Sequence, residues 1–504
     1  MPSSTTTICT AEDIFRLGAG KAQDWTCPAD RRTGDLMTAL PRSAPSTQDT
    51  DAHGIVAFLD AIDGLDGTEP HSVMLLRHGQ VIAEGWWTPY RRDEVKQLYS
   101  LSKSFTSTAA GFAWAEKLLD LDAPVVSYFP ELDAEVTDPR SRSILVRHVA
   151  TMSAGHTSEQ WNRAVETDYD DPVRGFLLDP PDGTPGVTFA YSQSTTYVLG
   201  AIIQRVTGSS LLEYLRPRLF DPLGIGEAFW LQHPPGRDIG FAGLHVTTDA
   251  IARLGQLYLR GGVWEGHQLL APEWVAEATR AQVDNSNWGG PTSDWAQGYG
   301  FQFWIARHGY RGDGAYGQFC VILPEHDVVL AWTGESDDMQ AVLDAAWTHL
   351  LPAFAREGSA AADAALAQRL TGLELPFPDV DEVADGEFTI AVSALRKLER
   401  ISLTARELTL HEQDGVSTRL PLITGAWPPP TGNLTARATR TDADTVTVHL
   451  QFTQAPHKLV ITGDLRTNTF TAVWRTVPLM SRSITALSAI ADPAGRDSLW
   501  PRKS

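Results

Sequence analysis

The sequence predicts an α+β protein with more than one domain, and three observations support this. The chain has 504 residues, which is too long for one ordinary domain. Between residues 53 and 355, strand-like patterns come first, helical patterns follow, and strand-like patterns return before a last helix. This order predicts one sheet built from both ends of the segment, with helices around it. Beyond residue 378 the composition shifts to short alternating runs, which predict a separate small antiparallel β domain.

Four segments follow from these shifts in composition. Residues 1–52 are rich in Thr, Ser, Pro, Gly and Asp without a sustained period, so we expect a loosely ordered N-terminal arm. Residues 53–355 form the predicted α+β domain. Residues 356–378 fit a linker or a short helix, and residues 379–504 form the predicted C-terminal β domain.

Within the larger domain, the elements follow from hydrophobic periodicity. Residues 71–87 predict a β-hairpin that turns at residues 78–80, and residues 104–120 have the spacing of a helix. Residues 125–300 alternate helical runs with loops rich in Pro, Gly and Trp, which indicates a helical subdomain. Strand character returns near residue 300, and an amphipathic helix over residues 339–354 closes the domain.

In the C-terminal segment, apolar and polar residues alternate with the period of two that half-buried strands require. The predicted strands are residues 407–411, 445–452, 458–462 and 469–474, with turns at Asp414-Gly415 and Gly463-Asp464.

The charge of the chain excludes some classes of partner. There are 62 acidic and 41 basic residues, for a formal net charge of −21, which argues against nucleic acids and anionic membranes as partners. The N-terminus lacks the apolar run of a secretory signal, so we expect a cytoplasmic protein. Cys9, Cys27 and Cys320 are widely separated and are expected to be free thiols. The 14 histidines show no metal-ligand spacing, so neither a metal nor another cofactor is expected.

The sharpest local signal is Ser100-Leu101-Ser102-Lys103, at the start of the predicted helix. Residues three apart on a helix share a face, so the Lys103 amine can reach the Ser100 hydroxyl. A serine hydroxyl is a weak nucleophile until a neighbour takes its proton, and a lysine does so only when its pKa is lowered. The motif by itself also fits a helix start followed by a solvated lysine, and that alternative stays open on this motif alone.

Four further segments accompany the motif, and together the five resemble one family. The chain is similar to the serine hydrolases of the β-lactamase and penicillin-recognising fold, which include class C β-lactamases, family VIII esterases, D-aminopeptidases and nylon-oligomer hydrolases. These enzymes carry Ser-x-x-Lys, then Tyr-x-Asn, then a Lys/His-Thr/Ser-Gly strand. The resemblance covers roughly residues 55–355. The segments are LYSLSKSFTSTAAG (98–111), VRHVATMSAGH (146–156), GVTFAYSQSTTYVLGAIIQRVTG (186–208), RPRLFDPLGI (216–225) and GAYGQFCVILPE (314–325).

The resemblance implies roles for particular residues. Ser100 corresponds to the acylated nucleophile, Lys103 to its general base, and Tyr191 to the tyrosine that relays a proton to the leaving group. The family builds its oxyanion hole from two backbone N–H groups, which correspond to those of Ser100 and Ala315. A nearby ammonium can lower the pKa of a tyrosine toward working pH, so we expect this for Tyr191.

The sequence departs from the family pattern at two motifs. Gln193 stands where the family has Asn, which keeps the amide and lengthens the side chain by one methylene. The Lys/His-Thr/Ser-Gly motif corresponds to Gly312, Asp313 and Gly314, so the cation that helps to hold a substrate carboxylate is absent. Arg311 should point to the opposite face of the strand, and His308 could replace the cation only if the strand bulges.

These departures shift the expected substrate. Without that cation, a ligand with an essential carboxylate should bind poorly, so an efficient β-lactamase or a carboxypeptidase is not expected. We expect a cofactor-independent esterase or amidase that acts through an acyl-enzyme on small molecules. Gln193 and residues 312–314 would lie around the substrate, and tryptophans near residues 285–304 would line the acyl pocket. An acyltransferase and a non-catalytic binding protein are the alternatives, and a homodimer stays open.

Overall fold

The computed structural model describes residues 39–377, 383, 385–395, 397–413, 415–480, 484 and 487. It confirms the predicted fold class, because a sheet-and-helix domain is followed by a separate β-sheet domain. The sheet of the first domain contains strands from both ends of the segment, as the order of sequence patterns predicts.

Six antiparallel strands form the central sheet in the order β2-β1-β11-β10-β9-β8. The interior strands are covered on both faces, so their side chains alternate between two apolar layers rather than between core and solvent. Phe319 and Val321 of β10 join one layer, whereas Cys320 and Ile322 join the other. The strands of this domain are β1 (Thr68–Arg77), β2 (Gln80–Trp86), β3 (Lys96–Gln97), β4 (Phe229–Trp230), β5 (Leu244–Val246), β6 (Val263–Trp264), β7 (His267–Gln268), β8 (Trp304–Ile305), β9 (Tyr310–Gly314), β10 (Gln318–Leu323) and β11 (Val328–Ser336).

Helices cover both faces of the sheet. The first helix and the last two pack on one face, and the helical subdomain covers the other. The described helices are α1 (Ala52–Asp63), α2 (Ser102–Ala115), α3 (Pro139–Arg142), α4 (Val146–Ala150), α5 (Trp161–Thr167), α6 (Pro172–Leu177), α7 (Gln193–Thr207), α8 (Leu211–Leu215), α9 (Asp221–Leu223), α10 (Thr248–Leu259), α11 (Pro272–Ala278), α12 (Met339–Ala353) and α13 (Ala360–Leu370).

Helix α2 is the element that carries the Ser-x-x-Lys motif, and it is buried along almost its whole length. It ends at Ala115, five residues before the predicted end, because the chain turns into a left-handed conformation at Lys117 (φ 59°). The burial of α2 between the sheet and the helical subdomain holds its first turn in a fixed position.

The C-terminal domain is an eight-stranded sheet in the order β15-β14-β13-β12-β19-β18-β17-β16. Alternate residues of these strands form its own apolar core. The strands are β12 (Gly386–Ser393), β13 (Leu398–Leu403), β14 (Glu407–Glu412), β15 (Ser417–Pro421), β16 (Leu434–Arg440), β17 (Thr445–Phe452), β18 (His457–Asp464) and β19 (Thr469–Trp474).

Two details of this domain differ from the prediction. The sheet is antiparallel except where β12 runs parallel to β19. Gly463 and Asp464 end strand β18 instead of forming the turn, which follows at residues 465–468. The local Gly-Asp pair suggested a turn, but pairing with β17 and β19 continues the strand through it. Asp414 of the other predicted turn lies outside the described residues.

The two domains meet through polar side chains around the turn between β17 and β18. Lys458 forms an ion pair with Glu69, and Gln451 donates to the Tyr90 hydroxyl at 3.1 Å. The backbone N–H of Gln97, three residues before the nucleophile candidate, donates to the carbonyl of Gln454 at 2.8 Å. The C-terminal domain therefore contacts the segment that leads into the Ser-x-x-Lys motif.

The segments next to the large domain are also packed against it. From residue 39 onward the predicted arm lies along β2, where Arg42 pairs with Glu84 at 2.8 Å. The predicted linker contains α13, whose residue Leu366 is buried against the sheet layer with α1. Cys320 is a buried free thiol, whereas Cys9 and Cys27 lie outside the described residues. Nowhere in the described residues does a helix have both the length and the apolar character needed to cross a bilayer.

Candidate active site

Ser100 lies in a short 3₁₀ turn, Tyr99–Leu101, that leads directly into α2. Its side chain is half-buried, whereas Lys103 is only 1% exposed. The two side chains share one face of the helix start, and the Lys103 Nζ lies 2.9 Å from the Ser100 Oγ. The structure thus places a reachable hydroxyl beside an enclosed amine.

The Lys103 amine has three oxygen neighbours. Besides the Ser100 Oγ, they are the Gln193 Oε1 at 2.6 Å and the backbone carbonyl of Phe241 at 2.8 Å. Burial lowers the pKa of Lys103 to about 7, with Glu159 and Asp313 opposing the shift. Close to neutral pH, a large fraction of this lysine is therefore an uncharged amine.

The identity of the neighbours fixes how the neutral amine is oriented. The two carbonyl oxygens, of Gln193 and Phe241, can only accept hydrogen bonds, so they take the two N–H groups of the amine. The remaining lone pair then faces the Ser100 hydroxyl, which is able to donate. This is the arrangement that a general base needs before it takes a proton.

Gln193 is the first residue of α7, and its longer side chain reaches the amine in spite of the departure from the family's Asn. Glu159 holds the start of this helix: its carboxylate accepts from the backbone N–H of Gln193 at 2.6 Å and from the Ser192 hydroxyl at 3.2 Å. A carboxylate suits this position because the first N–H groups of a helix lack partners within it.

Tyr191 lies beside the nucleophile, close enough for the Ser100 hydroxyl to influence its pKa. The Lys103 Nζ lies 4.9 Å from the centre of its ring. The expectation that an ammonium lowers its pKa is wrong. Burial raises the pKa of Tyr191 well above its usual range, and Asp313 adds to the rise. Tyr191 is therefore a neutral phenol, which can donate one hydrogen bond and accept another.

Strand β9 closes the other side of the site, and its two glycines allow close approach. A Cβ at Gly314 would collide with the carbonyl of Leu98, and one at Gly312 would collide with Ser104 and Leu101. The end of β9 therefore lies directly against the turn that carries Ser100. The backbone N–H groups of Ser100 and Ala315 belong to these two adjoining segments, and their role as an oxyanion hole stays a prediction.

The family has a Lys or His at the position of Gly312, and the structure gives a steric reason for its absence here. Gly312 faces α2, where Ser104 leaves no room for a longer side chain. His308 is exposed beside Trp347 (5.1 Å between ring centres), and β9 pairs regularly with β10, so no bulge brings it into the site.

Arg311 and Asp313 form a buried ion pair on the opposite face of β9. The Nε of Arg311 donates to the Asp313 carboxylate at 3.0 Å, and its Nη1 donates to the Asp294 carbonyl at 2.7 Å. The guanidinium is fully buried over the ring of Trp295, at 4.4 Å from the ring centre. Burial raises the pKa of Asp313, while Arg311 opposes that rise. The Arg311 guanidinium is therefore already paired with Asp313 and is not available to bind a substrate carboxylate.

Aromatic rings form a wall next to Tyr191. Its ring stacks on Trp304 at 5.2 Å and lies 5.7 Å from Trp288. Phe189 and Tyr299 pack against the same group. Trp288 is 43% exposed, so part of this wall faces solvent.

One group among the described residues has the spacing of metal ligands. Ligand atoms of Glu69, His71 and Glu335 lie within 4.8 Å of one another at the domain interface. Lys458 already pairs with Glu69, and Arg475 lies 3.5 Å from Glu335. Burial and the nearby Glu69 raise the pKa of Glu335 to about 8, so a proton reduces the charge of the cluster near neutral pH, and we assign the cluster to the interface.

Sequence reasoning missed three contributors to the site. The Phe241 carbonyl carries no side-chain signal, and the link from Glu159 to Gln193 joins residues 34 positions apart. The pairing of Arg311 with Asp313 could have been predicted from the sequence, because residues two apart on a strand share a face.

Comparison with known proteins agrees with this geometry. A family model described as Beta-lactamase matches residues 60–352. The chain belongs to the β-lactamase family.

The chain is similar to several proteins that have names. The chain is 29% identical over 332 residues to a 6-aminohexanoate-dimer hydrolase of Paenarthrobacter ureafaciens, which covers 59% of this chain and 82% of that protein. It is 28% identical over 171 residues to a lovastatin esterase of Penicillium rubens, which covers 30% of this chain and 43% of that protein. Among solved structures, a Bacillus anthracis protein assigned as a 6-aminohexanoate-dimer hydrolase matches with a TM-score of 0.51 and 22% identity, over 62% of this chain and 87% of that chain. This last match shows the fold. Family and site geometry together identify the protein as a serine hydrolase.

The pH dependence of activity tests the assignment of Lys103 as base. In the wild type, kcat/KM for an ester should rise with pH as Lys103 loses its proton, with a midpoint near the pKa of about 7. Gln193→Glu places a carboxylate beside the amine, which favours the ammonium and should raise the midpoint by about 1 to 2 pH units. The measurement is kcat/KM between pH 5.5 and 9.5.

Gln193→Asn is the matched neutral control. It shortens the side chain without adding charge, so it should lower the rate while the midpoint stays near that of the wild type. An unchanged midpoint in Gln193→Glu would contradict the assignment.

Proposed function

We propose that the protein hydrolyses esters or amides with an uncharged, apolar or aromatic acyl group, through an acyl-enzyme on Ser100. The observation that carries this proposal is the buried Lys103 amine, whose Nζ lies 2.9 Å from the Oγ of the half-buried Ser100. A lysine whose pKa lies near 7 can take a proton at neutral pH, whereas an ordinary lysine cannot.

Acylation then follows from the positions of these groups. The Ser100 Oγ forms a bond to the substrate carbonyl carbon while its proton moves to the Lys103 Nζ. The negative charge on the substrate oxygen is held by the backbone N–H groups of Ser100 and Ala315. The bond to the leaving group breaks, and the leaving group receives the proton from Lys103 through the Tyr191 hydroxyl.

Deacylation repeats these steps with water as the nucleophile. A water oxygen bonds to the acyl carbon and gives its proton to the Lys103 Nζ. The bond between the acyl carbon and the Ser100 Oγ then breaks, and the Lys103 Nζ returns the proton to the serine oxygen. Tyr191 suits the relay because it stays a neutral phenol and so can accept and donate at once.

The surroundings favour an uncharged acyl group. The aromatic wall around Tyr191 offers apolar surface, part of which Trp288 presents to solvent. Arg311 is fully buried and paired with Asp313, so no described cation on β9 is available for a substrate carboxylate. The Asp313 and Glu159 carboxylates lie near enough to affect Lys103, and they disfavour a second negative charge.

Acyl transfer to an alcohol or an amine would use the same acyl-enzyme and stays the alternative to hydrolysis. Product analysis with added alcohol or amine separates the two reactions. A cytoplasmic location stays a prediction from the sequence, and a homodimer stays open.

Loss of the Ser100 hydroxyl tests the nucleophile. A fluorophosphonate should add one adduct per chain to the wild type, because a phosphonate captures an activated serine. Ser100→Ala should take no adduct and lose aryl-ester turnover by at least about 10³-fold. Intact-mass measurement and ester assays report both.

Ser107→Ala is the matched control, because Ser107 is buried on the same helix and is not among the three oxygen neighbours of the Lys103 amine. It should keep the adduct and the turnover. Equal labelling and turnover in Ser100→Ala and the wild type would refute the proposal.

A second measurement tests the preference for the acyl group. The two substrates are 4-nitrophenyl esters of glutaric acid, one with a free second carboxylate and one with that carboxylate methylated. The value of kcat/KM for the free acid should be on the order of tenfold lower than that for the methyl ester. The two substrates have the same carbonyl groups and differ by the charge and one methyl group, so a large difference in kcat/KM reports mainly on the charge. A higher kcat/KM for the free carboxylate would show that the site offers it a cation.

A further inference from the structure

Two tyrosines flank the predicted oxyanion hole. Tyr99 precedes Ser100 and Tyr316 follows Ala315, so each is joined by one peptide bond to a residue that would supply an N–H group. Both have left-handed backbones, with φ of 47° and 66°. This conformation is uncommon for residues with a large side chain, and it persists where surrounding contacts hold it.

The side chains of both tyrosines end in the C-terminal domain. The Tyr99 hydroxyl lies 2.6 Å from the His457 Nε2, and the backbone N–H of Leu479 donates to it at 3.4 Å. The Tyr316 hydroxyl donates to the carbonyl of Val477 at 2.5 Å. The two tyrosine rings and the His457 imidazole pack edge to face, with ring centres 5.3 to 5.8 Å apart.

The hydrogen bonds of His457 fix its tautomer. The Nδ1 lies 3.1 Å from the carbonyl of Thr476, which can only accept, so the Nδ1 carries the proton. The Nε2 is then an acceptor for the Tyr99 O–H. Burial lowers the pKa of His457 to about 3, which keeps the ring neutral in this arrangement.

Thr476 is anchored to the catalytic domain in turn. Its hydroxyl and its backbone N–H donate to the Glu335 carboxylate of β11, at 2.5 and 3.1 Å. A continuous set of hydrogen bonds therefore runs from the central sheet through the C-terminal domain and back to the residue before the nucleophile. These buried hydrogen bonds fix the positions of Thr476, His457 and Tyr99 relative to one another.

We propose that the C-terminal domain completes the active site, with His457 as a positioning residue that holds Tyr99 and thereby the Ser100 N–H, while the Val477 carbonyl holds Tyr316 and thereby the Ala315 N–H. The inference rests on the proposed acyl-enzyme function. It gives the domain beyond residue 378 a role in catalysis that is separate from binding of the acyl group.

The effect should appear in the chemical step. An oxyanion hole binds the tetrahedral oxyanion more strongly than the substrate carbonyl, so misplacing its donors lowers kcat and leaves KM almost unchanged. A substitution could instead unfold a fraction of the protein molecules. In that case fewer chains would react with a fluorophosphonate, but the folded chains would react at the wild-type rate.

The test compares Tyr99→Phe with Tyr90→Phe. Each variant loses a hydroxyl that contacts the C-terminal domain. The Tyr90 hydroxyl accepts a hydrogen bond from Gln451, and Tyr90 is not part of the turn that carries Ser100. Tyr99→Phe should lower kcat for an aryl ester and the rate of phosphonylation by about 10- to 100-fold, with KM within about twofold and one adduct per chain at completion. Tyr90→Phe should stay within about twofold of the wild type.

Substitutions of His457 show whether Tyr99 acts through it. His457→Phe should reproduce the defect of Tyr99→Phe, and the double variant should be no slower than either single variant. His457→Gln retains an acceptor for the tyrosine hydroxyl and should recover most of the rate.

Three results would overturn the inference. They are equal rates in Tyr99→Phe and Tyr90→Phe, fewer adducts with an unchanged rate, and additive defects in the double variant. A wild-type protein that takes no fluorophosphonate at all would instead refute the acyl-enzyme function, and with it the inference.

Discussion

The enclosure of the Lys103 amine is the constraint on which the rest of the site depends. An ammonium taken out of water is destabilised unless a counter-charge accompanies it, and the direct neighbours of this amine are a hydroxyl and two carbonyl oxygens rather than a carboxylate. The Glu159 and Asp313 carboxylates act only from further away, so burial remains the larger effect. The fold thereby stabilises the form of lysine that is able to accept a proton.

The architecture explains how this enclosure is maintained. Helix α2 is buried between the central sheet and the helical subdomain, so its first turn keeps Ser100 and Lys103 on one face. Helix α7 brings the amide of Gln193 from one side, and the glycines of β9 let the sheet edge approach from the other. The C-terminal domain contacts the same turn through Tyr99, which links a second core to the geometry of the nucleophile.

The sequence predicted the fold class and the larger elements because these depend on periodic burial. The strand at residues 445–452 and the helix that begins at Met339 start and end within a residue or two of the prediction. The Ser100 and Lys103 pair was predictable because their spacing on a helix is local. Tyr191 was placed only through a family resemblance, since its partners come from distant segments.

What the sequence did not reveal depends on long-range contacts. The carbonyl of Phe241 acts through the backbone, so its residue type carries no signal. The direction of the Tyr191 pKa shift follows from enclosure by rings that lie up to about a hundred residues away along the chain. The parallel pairing of β12 with β19 joins strands that are widely separated in sequence, and no turn marks it.

Titration of Lys103 by NMR tests the central claim most directly. With ¹³C-labelled lysine, the signal lost in Lys103→Met identifies this residue among the seven lysines, and it distinguishes Lys103 from buried Lys96, whose pKa is also lowered to about 7. The account predicts that the Lys103 signal titrates with a midpoint near pH 7. A Lys103 signal that stays in the charged form up to pH 9 would contradict it.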